Sequence, residues 1–205
     1  MNLSGLSCPK NRQKPLIEKN PLIGVIGGSG LCELPGLVVT NIIKTETPYG
    51  EPSGPITIGE LNGGSIAFLP RHGKEHTIPP HKVPYKANLM ALKSLGIRHV
   101  IGTCVAGSLQ KEIEPGTFIV PNQFINFTWG RDDTYDIDQE LVHLSMARPY
   151  CEHIRTIIIH ELKSMKVNYR EKGIIVVIQG PRFSTIAESK MFSLWGGDIV
   201  NMTQY

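Results

Sequence analysis

Gly24-Val-Ile-Gly-Gly-Ser-Gly30 runs straight out of an apolar segment, and three of its glycines crowd into four positions around Ser29. A turn there can aim backbone N–H groups and a hydroxyl at one anion, because glycine permits positive φ and close backbone approach. Arg71-His-Gly73 offers a guanidinium fork suited to phosphate, beside an imidazole that can give or take a proton. Thr103-Cys-Val-Ala-Gly-Ser108 adds hydroxyls and backbone N–H groups at a strand end, where α/β proteins place ligands. Three such loops, each following a strand, suggest one phosphate held from several sides.

Each segment also has a plainer reading. The glycine loop could be a tight turn or a dinucleotide fingerprint. Its spacing, Gly24-x-x-Gly27-Gly28-x-Gly30, does not match G-x-G-x-x-G, and Leu31-Cys-Glu-Leu-Pro35 starts a long helix poorly. Arg71 to His76 could be a solvated surface turn. His72, His76 and His81 lack the helical geometry, with a carboxylate between the histidines, that a zinc site of the H-E-x-x-H type uses, so no metal is expected. Cys104 reads as an apolar filler or weak donor, with no basic partner evident to activate it. In Gln179-Gly-Pro-Arg-Phe-Ser-Thr-Ile-Ala-Glu188, Phe183 could stack on a planar base or fill the core. Ser184 could touch a ligand or cap the following helix. Thr203 puts one more hydroxyl at a strand end.

The elements that must position these loops are legible as alternating types. Short β-rich segments at Leu22–Ile26, Leu37–Ile43, Pro55–Glu60 and Ser65–Leu69 are separated by Gly, Pro and Asn. Pro84–Leu95 reads as a helix with Leu89, Leu92 and Leu95 on one face and Gly96 as terminator. Strands are expected at Ile97–Gly102, Thr117–Val120, Gly173–Ile178 and Asp198–Met202, and helices at Pro149–Met165 and Ser184–Trp195. Ile154, Ile157, Ile158, Leu162 and Met165 recur at helical spacing, whereas Phe127–Gln139 reads as a mobile excursion. The pattern is α/β with a central mixed β-sheet flanked by helices, as a single domain over 21–205 behind a flexible extension at 1–20.

The 205 residues carry a formal net charge of +3, 40% hydrophobic and 19% charged residues. That balance is too weakly basic, and too unclustered, to argue for nucleic acid. Cys8, Cys32, Cys104 and Cys151 are widely spaced, which reads as free thiols in a reducing compartment. No apolar run is long enough for a membrane span and the N-terminus lacks a signal-like apolar block, so a cytoplasmic location is expected.

The motifs taken together resemble the trimeric purine nucleoside phosphorylases, most closely their 5′-methylthioadenosine branch. The resemblance rests on Ile26-Gly-Gly-Ser-Gly-Leu31, Thr47-Pro-Tyr-Gly50, Leu69-Pro-Arg-His-Gly73, His76-Thr-Ile-Pro-Pro80, Gly107-Ser-Leu109, Gly180-Pro-Arg-Phe-Ser184, Ala187-Glu188 and Asn201-Met-Thr203. These follow in family order from about Leu22 to Tyr205. The resemblance implies attack of inorganic phosphate on the anomeric carbon of a purine nucleoside, in purine salvage. Phosphate contacts are implied from Ser29, Arg71, His72, Thr103, Cys104, Val105 and Thr203. Met202 and Phe183 would line ribose and base, and Ser184 would face the purine. His143 matches a family histidine that reaches into a neighbouring subunit's 5′-substituent pocket. A homotrimer or dimer of trimers follows, with phosphate as co-substrate and no metal or organic cofactor.

The same resemblance implies departures. The family meets the purine with aspartates of a Thr-Asp-Tyr-Asp-like strand, expected beyond Tyr205 together with closing helices. No leaving-group acid is therefore assigned within this chain, and protonation of that kind is worth about 10²–10⁴-fold. Loss of the covering segments is expected to expose the Ile199–Val200 strand and to slow the chain, or to leave an inactive remnant that only binds ligand or oligomerises. Cys104 stands where relatives usually carry a hydroxyl residue or asparagine. Ser184 replaces the glutamate of the hypoxanthine- and guanine-specific branch, which favours methylthioadenosine over the alternative 6-oxopurine nucleosides (inosine, guanosine or methylthioinosine).

Overall fold

The computed structural model describes residues 23–132, 134–135 and 143–205. The expected extension at 1–20 and part of the expected excursion lie outside them. The chain opens with β1 (Ile23–Gly27), β2 (Val38–Ile43), β3 (Ile56–Leu61) and β4 (Gly64–Pro70). β3 and β4 form a hairpin whose two-residue turn, Asn62-Gly63, has φ of +50° and +79°. Asn-Gly is the pair that tolerates both positive values, which match the twist of the flanking strands.

A short 3₁₀ turn (Pro80–Lys82) and α1 (Tyr85–Ser94) follow, then β5 (His99–Gly102), which closes a five-stranded mixed sheet in the order β2-β3-β4-β1-β5. α1 buries Ala87, Asn88, Ala91 and Leu92; of the expected stripe Leu92 is buried and Leu95 packs against the core, while Leu89 is exposed. The small alanines let the helix lie close on Ile56, Ile58, Ala67 and Leu69. Asn88 is tolerated in that face because its Oδ1 accepts from the Ser53 backbone N–H at 2.8 Å and the Ser53 hydroxyl at 3.0 Å. Gly96, at φ +81°, ends the helix as expected.

The second half adds β6 (Gly107–Ser108), β7 (Phe118–Ile119), β8 (Gln123–Phe127), α2 (Glu152–Ser164), β9 (Tyr169–Arg170), β10 (Ile174–Ile178), α3 (Ile186–Leu194) and β11 (Ile199–Asn201). Backbone pairing separates the strands into the first sheet, a four-stranded sheet ordered β6-β11-β10-β8, and a small β7–β9 pair. β8 was not expected, since alternating Gln, Asn and aromatic residues hide its period. β10 is buried on both faces: Ile175 and Val177 pack with Ile113 and Ile199, while Val176 and Ile178 pack with Phe192 of α3. β11 is an interior strand between β10 and β6, so Ile199 is only 6% exposed. The expected exposure of Ile199–Val200 is corrected accordingly. In α2 the helical repeat is real, but only Leu162 of its apolar positions is fully buried, and Ile157 and Met165 face solvent. Among the described residues no helix is long and apolar enough to cross a membrane.

Candidate active site

β4, β1 and β5 are adjacent and parallel, with Gly27 opposite Pro70 and Ile26 opposite Gly102. The loops that follow them therefore open at one edge of one sheet. The ladder continues a step beyond the strands, with Arg71 N–H donating to Gly27 C=O at 2.9 Å and Thr103 N–H to Ile26 C=O at 3.0 Å. The three loops are so close that a Cβ on Gly28 would sit 2.4 Å from the Thr103 carbonyl oxygen and 3.0 Å from Arg71 Nη1. The glycine there is a requirement of close approach rather than of turn geometry.

Arg71 lies at the centre and is 4% exposed. Its Nη1 donates to the Thr103 carbonyl at 2.9 Å and to Thr203 Oγ1 at 3.0 Å, and Nη2 also reaches the Thr103 carbonyl. No carboxylate pairs with it among the described residues. Burial pulls its pKa below the usual guanidinium value, yet an arginine stays cationic at neutral pH. A buried cation held only by neutral acceptors is electrostatically incomplete, and an anion completes it.

His72 is buried beside it, with Nδ1 2.7 Å from the Ile78 carbonyl. A carbonyl can only accept, so Nδ1 carries the proton and Nε2 is left as an acceptor in the neutral ring. Burial lowers the His72 pKa, the Ile78 hydrogen bond opposes that, and the charges of Arg71 and His76 push it down further. The His76 ring lies 4.7 Å from that of His72, and its Nε2 is 3.4 Å from Ser29 Oγ. His76 thus links the glycine loop to the Arg71 loop. Thr103 Oγ1 accepts from Gly28 N–H at 3.3 Å. Cys104 Sγ accepts from Asn201 Nδ2 at 3.0 Å and donates to Gln204 Oε1 at 3.2 Å, while burial raises its thiol pKa. Val105 is exposed.

On the other side, Met202 packs against Gly180, where a Cβ would meet its Sδ at 2.6 Å. Phe183 is 84% exposed, which excludes the core reading for its ring. Ser184 is not the helix cap: Thr185 is, with Glu188 completing a capping box, and Ser184 Oγ lies 2.9 Å from Ser189 Oγ. His143 is exposed in the stretch leading to α2. Hydrogen bonds join Arg71 with Thr103 and Thr203 and Thr103 with Gly28; Ser29 bonds with His76 and Cys104 with Asn201 and Gln204, and the His72 ring lies tilted beside that of His76. Val105, Phe183 and His143 stand outside that network. Sequence reasoning missed Asn201 as the partner of Cys104, and it missed Arg131, whose fork holds the ends of β10 and β11. Neither carried a spacing signal, since each is a single polar residue whose partners are mostly backbone or distant in sequence.

Residues 22–205 match the profile of the Phosphorylase superfamily. The chain is 43% identical over 187 residues to the S-methyl-5′-thioadenosine phosphorylase of Nitrosopumilus maritimus, covering 91% of this chain and 71% of that protein. It is 46% identical over 183 residues to the enzyme of the same name from Pyrococcus horikoshii, covering 89% of this chain and 70% of that one. The solved methylthioadenosine phosphorylase from Schistosoma mansoni in complex with adenine superposes with a TM-score of 0.85 at 38% identity, covering 90% of this chain and 74% of that one.

Proposed function

The chain belongs to the phosphorylase superfamily, and on that premise we propose that it cleaves 5′-methylthioadenosine with inorganic phosphate. Adenine leaves the anomeric carbon, phosphate oxygen bonds to it, and methylthioribose 1-phosphate forms. The observation that carries this reading is Arg71, buried without a carboxylate among the described residues where the three loops meet.

In this reading phosphate lies among Ser29, Arg71, His72, Thr203 and the Thr103–Val105 backbone. Its negative charge both positions the nucleophile and offsets the positive charge that develops on the ribose ring. Met202 and Phe183 lie along ribose and base, and Ser184 faces the purine. The proton for the departing base is assigned to no residue of this chain. Phosphate is a co-substrate, and neither metal nor organic cofactor takes part. Exposed Val105, Leu144, Met146 and Phe183 suit contact between copies in a cytoplasmic homotrimer, in which His143 would serve a neighbouring subunit's pocket.

The test is base release from methylthioadenosine, adenosine and inosine, each with and without phosphate. Phosphate-dependent release, fastest from methylthioadenosine, is expected. Faster release from inosine would move the substrate to 6-oxopurines, and release without phosphate would replace phosphorolysis by hydrolysis. No release from a folded sample would leave a ligand-binding role in place of catalysis.

A further inference from the structure

We propose that Arg131 is a positioning residue for this reaction, holding the ends of β10 and β11 together so that Met202 and Thr203 face ribose and phosphate. The inference rests on the phosphorolysis reading. The parallel ladder between these strands ends with Val177 opposite Asn201. Beyond it no backbone pairing holds the Gln179–Gly180 loop to Met202. Arg131 spans that gap. Its Nη2 donates to the carbonyls of Met202 at 2.7 Å, Gln179 at 3.2 Å and Ile178 at 3.3 Å.

Nη1 donates to a main-chain oxygen of Tyr205 at 3.1 Å and to the Tyr85 hydroxyl at 3.2 Å, and Nε to Gln179 Oε1 at 3.3 Å. Tyr85 hands its own proton to the Pro80 carbonyl at 2.7 Å, and its ring lies under the guanidinium, 5.1 Å from Cζ. The planar fork is thereby fixed in direction as well as in place. Met202 and Thr203 are adjacent: Arg131 grips the carbonyl of the first and Arg71 the hydroxyl of the second. Two guanidiniums thus set one short segment from two sides.

Arg155 shows what a purely structural clamp looks like in the same chain. It too binds carbonyls, of Pro121 at 2.8 Å, Glu171 and Val120, but it pairs with Glu152 at 2.6 Å and holds α2 against the small β7–β9 region. Arg131 instead binds the ends of two strands beside the segment that carries Thr203 to Arg71.

The test compares Arg131→Gln and Arg131→Lys with Arg155→Gln in the full chain, reading phosphate affinity by calorimetry, KM and kcat for both substrates, and thermal midpoint. Misplaced binding groups are expected to cost Arg131→Gln about 10- to 100-fold in kcat/KM for phosphate, with a smaller change in nucleoside KM. Arg131→Lys keeps the charge without the fork, falls between, and carries the comparison if the glutamine variant does not fold. Arg155→Gln is expected to lower the midpoint and leave the kinetic constants and phosphate affinity unchanged. Unchanged phosphate constants in folded Arg131 variants, or an equal kinetic loss in Arg155→Gln, would overturn the proposal. If the unsubstituted chain is inactive but binds phosphate, weaker binding by Arg131→Gln supports the inference while the phosphorolysis reading fails. If it binds no phosphate, both fall.

Discussion

Arg71 Nη1 donates to Thr203 Oγ1 at 3.0 Å, joining residues 132 positions apart and the ends of two different sheets. This bond ties the three loops at one sheet edge to the end of β11 in the second sheet. Thr203 has one hydroxyl proton left to give, and an anion against Arg71 is its natural acceptor. Thr203→Ala removes that donor and leaves Arg71 one acceptor short. A hydrogen bond to a charged group is worth about 1.5–3 kcal/mol, so kcat/KM for phosphate should fall about tenfold or more. Thr203→Ser keeps the hydroxyl and should stay near the native value. Steady-state kinetics with phosphate varied would expose the idea as wrong if both variants behaved alike.

The two glycines flanking Ser29 should respond to alanine in opposite ways. At Gly28 the new Cβ would meet the Thr103 carbonyl oxygen at 2.4 Å, which is backbone and cannot step aside without opening the site. At Gly30 it would meet nothing within 4 Å, and only the φ of +83° is strained, at a cost of about 1–2 kcal/mol. Gly28→Ala should therefore lose most phosphate-dependent turnover and melt well below the parent. Gly30→Ala should lose some stability and keep turnover. Equal melting points for the two would contradict this account.

Much of the site was legible because strand-end loops announce themselves by residue type. The glycine run, Arg71-His72 and Thr103 were each visible alone, and their parallel strands bring them to one edge. The helix register was harder: Leu89 looked like core, but close packing on the sheet selected the small face of Ala87 and Ala91. β8 was hidden because Gln123 and Asn126 interrupt its apolar pattern. Arg131 left no trace, since its partners are mainly carbonyl groups, which every residue possesses. Interior placement of β11 could not be read either, because β6, the strand that covers it, is only Gly107–Ser108.

The start of α3 makes a prediction about acid. Thr185 Oγ1 accepts from Glu188 N–H at 3.1 Å, and Glu188 Oε2 accepts from Thr185 N–H at 2.7 Å. Arg182 binds the same carboxylate through both terminal nitrogens, and that contact, with the Thr185 N–H, holds the Glu188 pKa down to about 2. A depressed pKa means that the contribution is present above the ordinary carboxylate value and is lost as pH falls toward 2. Glu188→Gln should flatten the loss of thermal midpoint between about pH 4.5 and pH 2. Thr185→Ala should cost about 1 kcal/mol at every pH. Parallel acid profiles for the parent and Glu188→Gln would count against the box.

His72 predicts a second slope, at higher pH. Burial, with Arg71 and His76 as neighbouring charges, holds its pKa below the ordinary imidazole value despite the Ile78 carbonyl. The unfolded chain then takes up a proton before the folded one does, so the stability gained from a neutral His72 is complete above about pH 6.5 and drains away as pH falls below it. In phosphate-free buffer, the urea midpoint of the parent should drop between pH 7 and pH 5. His72→Gln, which has no proton to gain, should remove that part of the drop while lowering the midpoint at pH 8. Added phosphate should shrink the parent's drop, because an anion beside Arg71 offsets the charge that a protonated His72 would face. A parent and variant that lose the same stability over that range would show that His72 does not titrate against the buried guanidinium.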